Sequence, residues 1–204
     1  MTTDKLLAIH EAGHAVMAEL LSLDPVYVTI ELTGMSQGHL RRRGGAITAS
    51  ENWGELLAIC AGAIAEGIYS HKVNSRRRLC LGINVEGADG KHLWDTLKAH
   101  SDNPRQLSDW YELAYSQAEH ILNDRAVRRA VEALADRLLA ERTITSGEAF
   151  TTIRAGLGRS KWARDQYQMA ERYASPPQTW IESREEYRLI EKMMSAYARG
   201  GSAK

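Results

Sequence analysis

His10, Glu11 and His14 are the residues of this chain whose types and spacing can perform chemistry. Two residues four positions apart on an α-helix lie one above the other, so both imidazoles can bind one metal ion at about 2.0–2.1 Å from each nitrogen. Glu11 lies one position round the helix, close to the metal but not aimed to bind it, which suits a general base. Zinc lowers the pKa of its bound water to about 7, and Glu11 can take that water's proton as the water attacks a polarised carbonyl. The spacing therefore predicts a zinc-dependent hydrolase that acts on peptide bonds.

Apolar residues flank this motif at the spacing of one helix face and predict a largely buried helix. They are Leu6, Leu7, Ile9, Val16, Met17, Leu20 and Leu21. Buried histidines need partners for their ring nitrogens, and a metal ion is one such partner. The alternative is a pair of core histidines satisfied by neighbouring protein groups.

Gly13, inside the motif, predicts that a second helix packs closely against the first. Glycine in a helix interior costs about 1 kcal/mol relative to alanine, and close approach of another backbone is a structural reason for it. The stretch from Glu55 to Tyr69 carries a strip of small residues at positions i, i+3, i+4 and i+7. These residues are Ala58, Ala61, Gly62 and Ala65. We therefore expect the HExxH helix to pack on this small-residue helix.

Periodicity along the chain predicts a mainly α-helical fold with a small β-strand or hairpin element. A first helix is predicted from Asp4 to Leu23, and alternating apolar residues from Val26 to Leu32 predict a half-buried strand. The glycine-rich, basic stretch from Gly34 to Gly45 predicts a mobile loop, and Ala46 to Thr48 a second short strand. At a sheet edge beside the metal helix, the first strand could hold an extended substrate by β-augmentation; a hairpin that covers the core is the alternative.

Further helices are predicted at about 91–101, 108–123 and 125–141, followed by one that begins with a capping box at Thr145 and Glu148. Residues 1–157 are predicted to form the domain, and residues 158–204 a C-terminal helical tail. The last predicted helix, 182–198, has an apolar face. That face would pack on the domain itself, on a second subunit of a homo-oligomer or on an unfoldase.

The run AIHEAGHAVMAELLSLDPVYVTIEL, followed by AGAIAEGIY and by the helical stretch from Ala118 to Phe150, resembles the peptidase domain of the FtsH-type zinc proteases. These are membrane-anchored AAA+ proteases of bacteria and organelles. The resemblance is collinear and covers residues 4 to about 156. It implies a helical peptidase domain, a bound Zn²⁺ ion with His10 and His14 as ligands, and Glu11 as the catalytic base.

The same resemblance implies a third zinc ligand, which in the family is an aspartate at the end of a TGAxND segment. The corresponding stretch here is EGADGKH, and Lys91 falls on the ligand position. A protonated lysine cannot bind zinc, whereas Asp89 and His92 beside it can. We expect one of these two to be the ligand. His92 is slightly favoured because Leu93 follows it, just as a hydrophobic residue follows the ligand aspartate in the family. The alternatives are a helix N-cap for Asp89 and an ordinary polar residue for His92.

Glu66 falls in the run that resembles the family's GGRxAEE segment. Its carboxylate could accept a hydrogen bond from a metal-binding histidine and orient that ring. An exposed helix carboxylate is the alternative.

Composition fits one medium-sized domain and disfavours nucleic acid as the main partner. The chain has 204 residues, of which 44% are hydrophobic, and 26 basic residues balance 26 acidic ones. Two basic clusters, Arg41 to Arg43 and Arg76 to Arg78, are interpreted as solvated loop faces, with recognition of an acidic substrate as the alternative.

Cys60 and Cys80 are the two cysteines and form no CxxC pair, which predicts a reduced, cytoplasmic setting. No run approaches about 18 consecutive apolar residues, and the first residues do not resemble a signal peptide, so we expect a soluble chain that does not enter a membrane.

The sequence therefore predicts a zinc-dependent endopeptidase that acts on protein or peptide substrates. No GxxxxGK[ST] phosphate-binding loop occurs in these residues, so we expect it to take flexible substrates itself or to use an unfoldase in trans. The alternative is a catalytically impaired binding or regulatory module whose metal site is structural or vestigial, which Lys91 favours.

Overall fold

A computed structural model describes residues 3–23, 25–33, 36–42, 53–70, 88–100 and 104–175 of the chain. These ranges contain eight helices and one three-stranded antiparallel sheet, which confirms a mainly α-helical fold with a small β element. The helices are α1 (Thr3–Leu20), α2 (Trp53–Ser70), α3 (Ala88–His100), α4 (Pro104–Leu122), α5 (Arg125–Glu141), α6 (Ser146–Leu157), α7 (Lys161–Arg164) and α8 (Gln166–Arg172). The strands are β1 (Pro25–Thr33), β2 (Ser36–Arg42) and β3 (Thr143–Thr145).

Helix α1 is the central element of the core. From Ala8 to Ala18 nearly every residue is buried, because α2 packs on one side of it and α5 and the sheet pack on others. A Cβ at Gly13 would lie 2.7 Å from the carbonyl oxygen of Ala61 and 2.7 Å from the Cβ of Ala65. The predicted packing of the HExxH helix on the small-residue helix is therefore confirmed.

Helix α2 is buried between α1 and α4. Its first residue, Trp53, is fully buried; its indole Nε1–H donates to Gln117 at 2.7 Å, and its ring contacts Trp110 with centroids 5.1 Å apart. At the other end the hydroxyl of Tyr69 donates to the backbone oxygen of Arg128 at 3.1 Å. These two anchors hold α2 against α4 and α5.

The sheet has the strand order β2-β1-β3, so β1 is its central strand. Val28 pairs with Leu40 of β2 on one side and with Ile144 of β3 on the other. The prediction that this strand could serve as an edge for substrate is therefore wrong, because β3 pairs with the side on which a peptide would have to bind. The short strand β3 has no pattern long enough to predict it.

The stretch predicted as a mobile loop, Gly34 to Gly45, contains the strand β2. This prediction is wrong because pairing with β1, and not the polar composition of the stretch, decides the conformation of residues 36–42. The second strand predicted at Ala46 to Thr48 lies outside the described residues.

The helices of the C-terminal half follow the predicted boundaries closely. The capping box of α6 is confirmed: the backbone N–H of Thr145 donates to the Glu148 carboxylate at 2.9 Å. The compact unit that contains all eight helices extends to Ala174, beyond residue 157, where the sequence predicts the start of a tail. The predicted helix 182–198 lies outside the described ranges. No helix within those ranges combines the length and the apolarity needed to span a bilayer.

We expect Gly156→Ala to destabilise the protein. A Cβ at position 156 would lie 2.5 Å from the Cα and 2.8 Å from the backbone nitrogen of Ala130, and α5 would have to move to admit it. The expected loss in free energy of unfolding is about 1–3 kcal/mol, measured by urea denaturation. Gly147→Ala is the matched control, because its Cβ would meet no described atom within 4 Å and should stabilise α6 by up to about 1 kcal/mol. Equal effects of the two variants would contradict the close contact between α5 and α6.

A pH-dependent contribution to stability is expected from Asp124, which caps α5 by accepting the Ala126 N–H at 2.8 Å. Burial raises the pKa of the Asp124 carboxyl, but the N–H groups of Ala126 and Val127 and the charge of Lys161 outweigh it, so the pKa lies below its ordinary value. The folded state thus favours the charged carboxylate. The contribution of Asp124 to the free energy of unfolding is complete at pH values above the pKa in the unfolded state, about 3.9. It is lost as the pH falls through the lower pKa of the folded state.

Asp124→Ala should therefore lower the free energy of unfolding at neutral pH by about 1 kcal/mol, and the difference from wild type should shrink below about pH 4. Asp124→Asn keeps a cap without a titrating group and serves as the control. A difference between wild type and Asp124→Ala that is constant down to about pH 2 would count against the charged cap.

Candidate metal centre

The predicted metal ligands His10 and His14 lie one above the other on α1 and face each other. Their Nε2 atoms are 3.0 Å apart, and the two rings are nearly perpendicular, at 80°. His14 is 7% exposed, so this pair lies at the boundary of the core. The helix thus brings together the two nitrogens that the spacing predicts as ligands.

His14 is held by the neighbouring helix α2. Its Nδ1 lies 2.7 Å from the backbone oxygen of Ala58. A carbonyl oxygen can only accept, so Nδ1 carries the proton and donates it. In the neutral imidazole the Nε2 atom of His14 is therefore the unprotonated nitrogen, with its lone pair directed at His10.

Glu66 of α2 lies beside the other histidine. The Nδ1 atom of His10 is 3.5 Å from a carboxylate oxygen of Glu66, whose side chain is 46% exposed. A carboxylate at this position favours the His10 tautomer with its proton on Nδ1, and in that tautomer the Nε2 atom of His10 is unprotonated as well. The contact is the one expected of a residue that orients a metal ligand, although half of the Glu66 side chain faces solvent.

Two unprotonated nitrogens that face each other at 3.0 Å repel each other unless a cation lies between them. Either a proton or a metal ion can fill that role. Two nitrogens bound to one tetrahedral zinc ion at about 2.0–2.1 Å lie about 3.3 Å apart, close to the distance found here. The donor atoms therefore fit zinc when the proton of His10 is on Nδ1. Without a metal, a proton on Nε2 of a neutral His10 would be donated to Nε2 of His14.

Glu11 is a buried carboxylate next to these ligands. It is 4% exposed and follows His10 directly on α1. A carboxylate kept from bulk solvent at this position can exchange a proton with a molecule held by the histidines. Its place agrees with the predicted role, which depends on the metal and remains a prediction.

The third ligand remains a prediction. Among the described side chains no three His, Cys, Asp or Glu residues form a group that could hold a metal ion. On α3, Lys91 is exposed and His92 is half-buried, while the side chain of Asp89 lies outside the described part of the chain. The structure therefore brings His10, His14 and Glu66 together, with Glu11 next to His10 on α1, and the described side chains do not include His92 in a metal-binding group with them.

Two features that position His14 are not predicted from the sequence. The first is the Ala58 carbonyl, a backbone group with no signal in the side-chain pattern. The second is the absence of a side chain at Gly62, since a Cβ there would lie 2.6 Å from Cε1 and 2.7 Å from Cδ2 of His14. The strip of small residues did contain this second signal, but it was interpreted as helix packing alone. The burial of Glu55, a carboxylate in the first turn of α2 that is 8% exposed, is also not predicted from the sequence.

Neither a protein-family model nor a curated protein matches this chain. The geometry of the pair and the chemistry of its residues are therefore the basis for a functional proposal.

We expect Gly62→Ala to weaken zinc binding by at least about tenfold, because the new Cβ would displace the His14 ring from its place on α2. Zinc affinity is measured by competition with a chromogenic chelator. Gly13→Ala is the control: it also crowds the contact between α1 and α2, but the atoms that it meets belong to Ala61 and Ala65. Both variants should lose stability, and only Gly62→Ala should lose affinity beyond that loss. Equal affinities in the two variants would contradict the role of Gly62.

Proposed function

We propose that this protein is a zinc-dependent endopeptidase that hydrolyses peptide bonds. The observation that carries the proposal is the pair of facing Nε2 atoms on α1, 3.0 Å apart, with the Nδ1–H of His14 donated to the Ala58 carbonyl. This arrangement directs the Nε2 lone pair of His14 at Nε2 of His10, and the Nδ1–H tautomer of His10 adds a second lone pair at the same point. A binding site for a divalent cation needs such an arrangement, whereas a pair of histidines in an ordinary core does not.

In this proposal His10 and His14 bind Zn²⁺, with His92 or Asp89 as the expected third ligand. When bound, zinc would supply Lewis acidity, which polarises a substrate carbonyl and favours deprotonation of water. The Ala58 carbonyl accepts the Nδ1–H of His14 and so orients that ring, and the Glu66 carboxylate, 3.5 Å from Nδ1 of His10, would do the same for His10.

Glu11 is assigned as the general base. It takes a proton from the attacking water as the new C–O bond forms, and it returns that proton to the amine nitrogen as the C–N bond breaks. Its burial keeps the proton within the site between these two steps. Within the described ranges, no other buried carboxylate comes directly after His10 or His14 in the sequence of α1.

The proposed substrates are proteins or peptides with flexible segments, taken directly or delivered by an unfoldase in trans, and a homo-oligomer is compatible with this role. A reducing, cytoplasmic compartment is the proposed location. The cysteine usage supports it, because Cys60 and Cys80 are the two cysteines of the chain and form no CxxC pair.

The second candidate is a binding or regulatory module with a structural or vestigial metal site. The observation that favours it is Lys91, an exposed lysine on α3 where the resembled family carries a metal ligand. The two candidates differ in turnover: a module of this kind would bind its partners without hydrolysing them.

We expect wild-type protein to contain about one zinc ion per chain and Glu11→Gln to retain it. Turnover of an unfolded protein substrate should fall by about 10²–10⁴-fold in Glu11→Gln, because the amide cannot accept the proton of water. The measurements are elemental analysis of the purified protein and the release of new amino termini from casein.

His14→Ala is the second variant and should lose the zinc together with the activity. Undiminished turnover in Glu11→Gln would refute the assigned base. Zinc in the wild type without any hydrolysis would favour a binding module with a structural metal site. Absence of zinc after reconstitution would refute the peptidase and favour a module whose metal site is vestigial.

A further inference from the structure

Five exposed cations lie around the first turn of α5 and the end of α6. They are Arg125 and Arg129 of α5, Arg159 between α6 and α7, and Lys161 and Arg164 of α7. We call this group the basic end. No acidic residue occurs from Ala149 to Arg164, the stretch that contains the last three of these cations.

Principles of packing join the elements that carry the basic end. The Nε–H of Arg129 donates to the backbone oxygen of Gly156 at 3.4 Å, near the C-terminus of α6. Arg154, also on α6, donates to the backbone oxygen of Ala163 in α7 at 2.6 Å. The charge of Lys161 acts on the carboxylate that caps α5. The five cations therefore belong to one part of the surface, although they come from three segments of the chain.

The charges of the basic end are not paired within the described part of the fold. None of the five cations lies within 4 Å of a described carboxylate. Two other arginines of α5 and its C-cap do form such pairs: Arg137 contacts Glu141 and Glu148, and Arg142 contacts Asp4. The chain as a whole is neutral, with 26 basic and 26 acidic residues, so the fold concentrates positive charge at this place.

Three carboxylates border the basic end. Asp124 accepts the N–H of Ala126 as the cap of α5, and Glu132 forms a hydrogen bond with Tyr69. Asp165 is exposed and follows Arg164 directly. Since two of the three carboxylates are engaged elsewhere, the basic end keeps an excess of positive charge.

An exposed aromatic side chain adjoins this group. Phe150 of α6 is 44% exposed, and no other large apolar residue of the described ranges is exposed. The guanidinium of Arg154 lies over its ring, 5.2 Å from the centroid, and the same arginine contacts α7. Aromatic residues and arginine are enriched where proteins bind other proteins. The composition of this surface thus suits a partner that has apolar as well as acidic groups.

We propose that the basic end and Phe150 together bind an acidic segment of a protein partner, one in which an apolar side chain lies among Asp and Glu residues. The carboxylates of the segment would pair with the five cations, and its apolar side chain would pack on the ring of Phe150. Each exposed ion pair contributes little by itself, so selectivity for the segment depends on several pairs forming together. The surface uses no metal, and the inference therefore goes beyond the proposed peptidase activity.

Nucleic acid and anionic lipid are the other partners that carry negative charge. A long polyanion gains affinity with each phosphate that the protein neutralises, which favours chains with a large positive net charge, and this chain has none. Binding to a membrane surface needs a broad apolar face, whereas the apolar part of this surface is Phe150. A short acidic segment fits both the size and the composition of the surface better.

The experiment measures the binding of fluorescein-labelled peptides to the full-length Glu11→Gln chain, which leaves the peptides uncut, by fluorescence anisotropy. The acidic peptide carries a central Leu flanked on both sides by alternating Glu and Ser. Two comparison peptides replace every Glu by Gln, or the Leu by Ala. The acidic peptide should bind at least about tenfold more tightly than the Gln peptide and about threefold more tightly than the Ala peptide. The first difference should shrink as the salt concentration rises from about 0.05 M to about 0.5 M.

Arg159→Gln/Arg164→Gln should weaken binding of the acidic peptide by about fivefold, because it removes two of the pairing charges. The matched control is Lys5→Gln/Lys98→Gln, which removes the same charge from exposed positions on α1 and α3 and should leave the affinity unchanged. Phe150→Ser should abolish the preference for Leu over Ala and retain the preference for Glu over Gln.

Equal binding of the Glu and Gln peptides would overturn the proposal. So would an equal loss in the two double variants, which would indicate net charge alone. A single-stranded oligonucleotide or a phosphatidylserine vesicle that binds more tightly than the acidic peptide, and loses its affinity in Arg159→Gln/Arg164→Gln alone, would assign the basic end to phosphate groups. An unchanged preference for Leu in Phe150→Ser would overturn the role of Phe150.

The peptide measurements are made with and without a zinc chelator and should not differ, so the two proposals fail separately. A chain that prefers the acidic peptide but neither holds zinc nor cuts casein would retain the basic end and refute the peptidase. A chain that hydrolyses casein with zinc but binds the Glu and Gln peptides equally would do the reverse.

Discussion

The close contact between α1 and α2 is the constraint on which the rest of the structure depends. Gly13 of one helix and Gly62 of the other each lack the side chain that would separate the two backbones. Because the helices approach so closely, the backbone oxygen of Ala58 reaches His14, and Glu66 reaches His10. One packing arrangement therefore determines both the core and the tautomer of His14, so a change in the packing alters the chemistry of the pair.

The sheet depends on one of these two helices, α1, in a different way. α1 packs on β1 and β2, and the short strand β3 pairs with β1 directly before α6 begins. The charge pair between Asp4 and Arg142, 2.9 Å apart, joins the start of α1 to the residue that precedes β3. In the described part of the chain β2 and β3 therefore lie on either side of β1, and β2 is formed by part of the basic stretch of the sequence.

Much of the fold could be predicted, because most of its elements are helices with a strong local signal. The apolar period of α1, the small-residue strip of α2 and the capping box at Thr145 are short-range patterns that the structure confirms. β2 and β3 have no such pattern. β2 has Leu40 as its single large apolar residue, and β3 has three residues in all. Both are strands because they pair with β1, which for Thr143 means a partner 114 positions away at Thr29. Their conformation is therefore decided by long-range contacts.

The sequence by itself determined which residues can act together on one helix, since the four-residue spacing of His10 and His14 places both rings on one face whatever the rest of the fold does. The identity of the buried base beside them, Glu11, follows from the same local geometry. Only the tertiary structure decided which nitrogen of His14 faces outward from α2 and which strand lies at the sheet edge. Those features depend on a backbone carbonyl and on strand order, and both are set by contacts between distant segments that leave no mark on the local pattern of side chains.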